Sequence, residues 1–290
     1  VHPTFQQLLS TGPVLLDGAW GTQLQARGLP VGACPDLWNL RHPDRVAEVA
    51  RAYVDAGSQI ILTNTFGANG YVLARHGAEN QVREINREGA RISREAAAGS
   101  ASVFGSVGPT GKMLAMGEAT PDEMLAAFRL QVQGLAEGGV DAIVVETMSD
   151  LEEAELAVQA AREAGLPVAA SMTYGAGREG DRTMMGHTPE EAAQRLAAAG
   201  AQVIGANCGF GPEQMLPVCR RLAAATSLPL WMKPNAGLPV MVDGQATYTM
   251  DVETFVAHAA QLLQAGARFI GGCCGTGPDY IAALKRLLTK

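Results

Sequence analysis

Eight short apolar runs, separated by amphipathic segments, constrain this chain more than any other feature. They are Val14-Leu15-Leu16, Ile60-Ile61-Leu62, Ser102-Val103-Phe104-Gly105, Ala142-Ile143-Val144-Val145, Val168-Ala169-Ala170-Ser171-Met172, Val203-Ile204-Gly205-Ala206, Leu230-Trp231-Met232 and Phe269-Ile270. They lack a clean apolar/polar alternation. Strands of that kind are buried on both faces, as in a parallel sheet. The segments between them have helical spacing. Pro43 to Ala56 keeps Val46, Val49, Ala50, Tyr53 and Val54 on one face, and Leu151 to Ala164 does the same with Leu156, Ala157 and Ala160.

Capping residues keep the same beat. Thr120-Pro121-Asp122-Glu123 and Thr188-Pro189-Glu190-Glu191 each supply a capping hydroxyl, a proline at the first helical position and a glutamate that can reach back. Ser149 with Glu152 reads as a third capping box. Gly57, Gly139, Gly165, Gly200 and Gly266 follow helical stretches and suit left-handed ends. The helix-to-strand links are therefore very short. The strand-to-helix links run long: Gly18 to His42, Asn64 to Gly77, Gly108 to Ala119, Tyr174 to His187 and Ala236 to Met250. That asymmetry predicts a TIM (β/α)8 barrel with its working loops at the carboxyl ends of the strands. With no linker or low-complexity tract, one domain over residues 1–290 is expected. A doubly wound open sheet is the alternative, weakened by the lack of a Gly-x-Gly-x-x-Gly turn after the first run.

In this register the strand ends carry the chemistry. The first ends at Asp17-Gly18-Ala19, the fourth at Glu146-Thr147, the sixth at Asn207-Cys208, the seventh at Lys233-Pro234-Asn235, and the eighth at Gly271-Gly272-Cys273-Cys274-Gly275-Thr276. Strands six and eight flank strand seven. Cys208, Cys273 and Cys274 can therefore meet as a three-thiolate site with one open corner. Soft sulfur donors and a tetrahedral preference point to zinc, and an open corner points to catalysis. A plainer reading makes free cysteines small buried apolar residues. It suits Cys219, inside an apolar helix; Cys34 is assigned nothing. Asn235 is a candidate fourth ligand when substrate is absent, or only a loop residue after proline. Lys233 opens another enzyme class, because a strand-end lysine can form a Schiff base. Asp17 could be a turn residue, Glu146 a helix-terminus charge, and His187 belongs to loop structure.

Composition excludes several roles. The formal charge is −7 and no basic cluster stands out, so nucleic acid is a poor partner. No apolar run reaches membrane-span length, and Val1-His2-Pro3-Thr4 is no signal peptide. Val1 in place of Met is expected of a processed or trimmed N-terminus. Five cysteines, odd and few for the length, argue for a reducing, cytoplasmic setting.

Six segments together resemble the homocysteine S-methyltransferase family. They are Asp17 to Thr22, Thr63-Asn64-Thr65-Phe66, Gly108-Pro109-Thr110-Gly111, Glu146 to Asp150, Gly205 to Cys208 and Gly271 to Thr276. The likeness is greatest to the homocysteine-binding module of its cobalamin-dependent members. It implies a TIM barrel holding zinc through Cys208, Cys273 and Cys274, with homocysteine's thiol at the open corner. It also places Asp17 and Glu146 on the substrate's ammonium, and backbone amides around Gly18 and Ala19 on its carboxylate.

The methyl donor is less legible. A betaine-using member is expected to cage a quaternary ammonium with aromatic rings. Gly67 and Thr147 stand where that branch has aromatics, and aromatics are only 5% of the chain. Gly108 to Lys112 is closer to the methionine synthase type than to the S-methylmethionine type. A methylcorrinoid (methylcobalamin) carried by a separate protein is the expected donor. No folate- or cobalamin-binding part is visible, so another small thiol could be the acceptor. A zinc or thiol-binding module without catalysis, and a zinc-stabilised scaffold, are the non-enzyme alternatives.

Overall fold

The computed structural model describes residues 2–242 and 245–289. Every expected apolar run is a strand, and most extend one to three residues further. They are β1 (Val14–Leu15), β2 (Ile60–Leu62), β3 (Ser102–Val107), β4 (Ala142–Met148), β5 (Val168–Met172), β6 (Val203–Asn207) and β7 (Leu230–Lys233). A hairpin of β8 (Pro239–Val242) and β9 (Gln245–Tyr248) follows, then β10 (Ala267–Ile270). Eight strands form one parallel sheet in the order β1-β10-β7-β6-β5-β4-β3-β2. The remaining seam, between β1 and β2, is bridged through Gln59. Its N–H donates to the Leu15 carbonyl (2.8 Å), and its side-chain oxygen accepts from Leu15 N–H (2.9 Å). The sheet thus wraps into a TIM barrel.

Two cores follow from burial on both faces of the strands. Leu16, Leu62, Phe104, Val144, Trp231 and Phe269 point inward and fill the barrel. Phe5, on the helix Pro3–Leu9, plugs its amino-terminal end edge-on to Phe104 and Phe269. The alternate strand residues, such as Ile61, Val103, Ile143 and Val145, pack against the helices. Pro43–Ala56 turns Val46, Val49, Ala50 and Tyr53 inward, as the periodicity predicts.

The capping boxes at Thr120 with Glu123 and Thr188 with Glu191 form as read. The third does not: Asp150, not Ser149, caps Leu151–Glu163, its carboxylate accepting from Glu152 N–H. An ionised carboxylate beside free amides is the stronger acceptor at a helix start. All five helix-end glycines have positive φ. The longest correction lies between Ala236 and Met250, expected as a plain loop. The hairpin β8–β9 stands there, closed at its base by Met250 N–H on the Ala236 carbonyl (3.3 Å). Among the described residues no helix is long and apolar enough to cross a membrane.

Candidate active site

The carboxyl ends of the strands open into a cavity of about 510 Å³. Cys208, Cys273 and Cys274 line its floor, and their sulfurs lie within 4.8 Å of one another. Local backbone makes the convergence possible. A side chain at Gly272 would run into Thr276, its Cβ only 2.2 Å from Oγ1. Gly275 has φ 81° and lies under the Tyr248 side chain of the hairpin. The turn is fastened by Cys273 N–H to the Pro234 carbonyl (2.7 Å) and Thr276 Oγ1 to the Cys273 carbonyl (2.7 Å).

The sulfurs share protons. Thiols of Cys273 and Cys274 donate toward Cys208, which lowers its pKa to about 3 against the opposing effect of burial. The same sharing raises Cys273 well above the ordinary thiol value and Cys274 to about 11. A soft cation fits this donor set. Zinc–sulfur bonds of about 2.3 Å in a tetrahedron put sulfurs about 3.8 Å apart, and Cys208 Sγ lies 4.0 Å from Cys274 Sγ. The three are grouped without a fourth cysteine, histidine or carboxylate among the described residues, so one position faces the cavity.

Glu146 is buried on the cavity wall. One carboxylate oxygen accepts from Ser106 Oγ at 2.5 Å. Burial raises its pKa, opposed by Lys233 and by that hydrogen bond. Asp17 arrives at the same end of the barrel, fully buried, with both oxygens engaged. Oδ1 pairs with Lys233 Nζ at 2.5 Å, and Oδ2 accepts from Trp20 Nε1 (2.8 Å) and Leu62 N–H (2.7 Å). Lys233, not Asp17, lines the cavity. Burial opposes its charge, but Asp17 and then Glu146 outweigh that and raise its pKa. A lysine held as ammonium is not a Schiff-base nucleophile, so that alternative loses its support.

Gly18 and Ala19 line the cavity, but the Ala19 amide is committed to the Thr276 carbonyl (3.0 Å). Among the described residues the Gly18 amide has no such partner. Asn235 stands beside the cluster and is buried. Its Oδ1 already accepts from Cys274 N–H (3.0 Å), and its amide contributes to lowering Cys208. Coordination through Oδ1 would require releasing Cys274. Cys219 is a core residue, its thiol pushed up to about 12 by burial. His187 sits in its loop, 4.0 Å from Asp150.

Several cavity residues escaped the sequence reading. Trp20 and Phe66 both face the cavity, so two aromatic rings are present after all. Phe66 lies over Gly108, where a Cβ would come within 2.5 Å of its ring. Asp36 fills the space beside Gly67, accepting from Gly67 N–H (3.0 Å) and from the Cys34 thiol (3.4 Å). Burial raises Asp36 to about 6 and Cys34 to about 12. No local motif marks Asp36; only the folding of the first loop against the second brings it there.

Fold and site together define a (β/α)8-barrel protein with a three-thiol centre under an open cavity. The chain belongs to the homocysteine S-methyltransferase family, whose profile matches residues 14–288. It is 33% identical over 294 aligned positions to methionine synthase of Mycobacterium tuberculosis, covering 94% of this chain and 24% of that protein. The methionine synthase of Mycobacterium leprae is 32% identical, with 91% and 23% covered. The chain thus spans about a quarter of the length of these curated relatives. The metallated homocysteine methyltransferase MmuM from Escherichia coli superposes with a TM-score of 0.80 at 28% identity, covering 98% of this chain and 99% of that one.

Proposed function

We propose that this chain, as one barrel domain over residues 1–290, transfers a methyl group to the thiol of homocysteine, giving methionine. The observation that carries the reading is the three-thiol cluster on the floor of the cavity, within reach of the buried carboxylate of Glu146. Zinc held by Cys208, Cys273 and Cys274 would supply the Lewis acidity that makes a small thiol a thiolate at neutral pH. The chain's own residues do the rest. Glu146, anchored through one oxygen by Ser106, receives the substrate ammonium. Asp17 supports it from behind by fixing Lys233, whose charge favours ionised Glu146. Of the two amides expected to hold the substrate carboxylate, that of Gly18, without a backbone partner among the described residues, is the one left to donate; that of Ala19 is committed to Thr276. Asn235, beside the cluster, would cover the open corner without substrate only by releasing Cys274 N–H from its Oδ1. The walls orient the bound thiol so that the sulfur lone pair meets the methyl carbon; the carbon–sulfur bond forms as the donor bond breaks, leaving its electron pair with the donor.

The donor in this reading is a methylcorrinoid on a separate protein. Support comes from the rim. Among the described residues, large exposed apolar side chains gather on the loops around the mouth, including Val31, Met113, Met116, Met184, Leu238 and Met241, with Leu130 the exception on a flanking helix. Unbranched, polarisable methionines suit a surface that adapts to a macromolecule. A second reading, a small cationic donor such as S-methylmethionine or betaine, is favoured by Trp20, Phe66 and Asp36 on the cavity wall.

The test is zinc-dependent methylation of homocysteine with methylcobalamin, S-methylmethionine and betaine in parallel. Fastest turnover with methylcobalamin supports the first reading. A win for either cationic donor replaces the donor and keeps the thiol chemistry. Zinc binding with no methylation by any donor returns the chain to a binding module.

A further inference from the structure

Two residues of the site have left-handed backbone although neither is glycine: Thr147 at φ 61° and Cys208 at φ 60°. Such a φ is uncommon for any side chain and an outlier for a β-branched one. Strain of this kind persists only where the surroundings over-determine it. Here one side chain does much of that. Asn207, fully buried at the end of β6, reaches across β5 to β4. Its Oδ1 accepts from Thr147 N–H (2.8 Å) and from Ser171 Oγ of β5 (2.7 Å), and its Nδ2 donates to Thr147 Oγ1 (2.7 Å).

The segment it holds is a β-bulge. Val145 pairs with Ala170 and Met148 with Met172, so three steps on β4 oppose two on β5. Bulges beside active sites re-aim side chains. In a regular strand Glu146 and Thr147 would face opposite sides; here both line the cavity. The chain from Asn207 continues directly into Cys208, whose N–H is held by the Lys233 carbonyl (3.1 Å).

We propose that Asn207 is a positioning residue that locks the aim of Glu146 to the place of the Cys208 sulfur, making recognition of the substrate's amine depend on the site of its thiol. The proposal rests on the roles given above to Glu146 and Cys208. Its measurable consequence is selectivity. Homocysteine and 4-mercaptobutyrate differ only in the amine, so the ratio of their affinities reports how well Glu146 is aimed.

The experiment compares zinc-loaded wild type with Asn207→Ala, Asn207→Asp and Ser171→Ala. Calorimetry gives the dissociation constants of both thiols, and cobalt substitution gives the thiolate charge-transfer band. Asn207→Ala is expected to lower the homocysteine preference about tenfold, the scale of one charge-assisted hydrogen bond, with metal retained. Asn207→Asp keeps the acceptors, lets the Thr147 hydroxyl donate instead, and should restore most of the preference. Ser171→Ala lies outside the cavity lining and should lower it in the same direction, which keeps the test open if the alanine at position 207 prevents folding. A preference within twofold of wild type in Asn207→Ala, or in Ser171→Ala where Asn207→Ala does not fold, overturns the proposal. A wild type that binds both thiols equally overturns the role of Glu146 as well, so the two failures are told apart.

Discussion

Asp17→Asn separates two roles that the sequence could not. The Lys233 ammonium is only 2% exposed, and its close partner is Asp17 Oδ1 at 2.5 Å. Removing that charge leaves a buried cation facing Glu146 alone. Breaking one side of a buried pair costs about 3–5 kcal/mol, because the desolvation of the remaining charge is no longer compensated. For a chain of this size each kcal/mol moves the midpoint by roughly 2 °C, so a fall of about 6–10 °C is expected. The variant Asp17→Asn/Lys233→Met removes both charges and should recover at least half of the loss. The assay is urea and thermal unfolding of the reduced, zinc-loaded protein, alongside homocysteine affinity. A pure substrate-ammonium role predicts weaker binding with an unchanged midpoint. A shift under about 2 °C in Asp17→Asn, or a double variant no better than the single, refutes the buried-pair reasoning.

The metal assignment predicts about one zinc per chain. Alanine at Cys208, Cys273 or Cys274 should abolish tight binding, measured by metal analysis after dialysis, while alanine at Cys34 or Cys219 should not; full occupancy in Cys273→Ala sinks the assignment. Glu146→Gln should weaken homocysteine binding at least about tenfold while zinc stays, and unchanged affinity by calorimetry would return Glu146 to a packing role. Asp36 predicts a pH dependence. Its folded pKa, about 6, lies above the ordinary 3.8. The proton it holds therefore stabilises the fold fully below about pH 4, and that stabilisation is lost as pH rises through about 6. Two units correspond to about 3 kcal/mol. The unfolding free energy of wild type relative to Asp36→Asn should fall by that order between pH 4 and pH 7; a flat difference means that Asp36 is better compensated than its burial implies.

The sequence by itself determined the alternation of strands and helices, because burial on both faces writes uninterrupted apolar runs and each helix end writes its own cap. It also determined the three sulfurs, since thiols at the ends of strands six and eight must approach once the barrel forms. Local signals could not say which polar group meets which. Asp17 and Lys233 are far apart in the chain, and only closure of the barrel pairs them. That pairing, with Trp20 and the Leu62 amide, takes up both oxygens of the Asp17 carboxylate expected to meet a substrate ammonium. The bulge at Glu146 and Thr147 is likewise invisible in β4, because it is held by a side chain from β6. Hairpin β8–β9, by contrast, was legible: it forms a two-stranded sheet of its own, and the Asp243-Gly244 dipeptide that stands in the sequence between its strands is the two-residue hairpin signal that a plain-loop reading of Ala236 to Met250 passes over. Contacts within one turn of chain are written in the sequence as periodicity and caps. Charges and hydrogen bonds between strand ends depend on register and closure, which only the assembled barrel supplies.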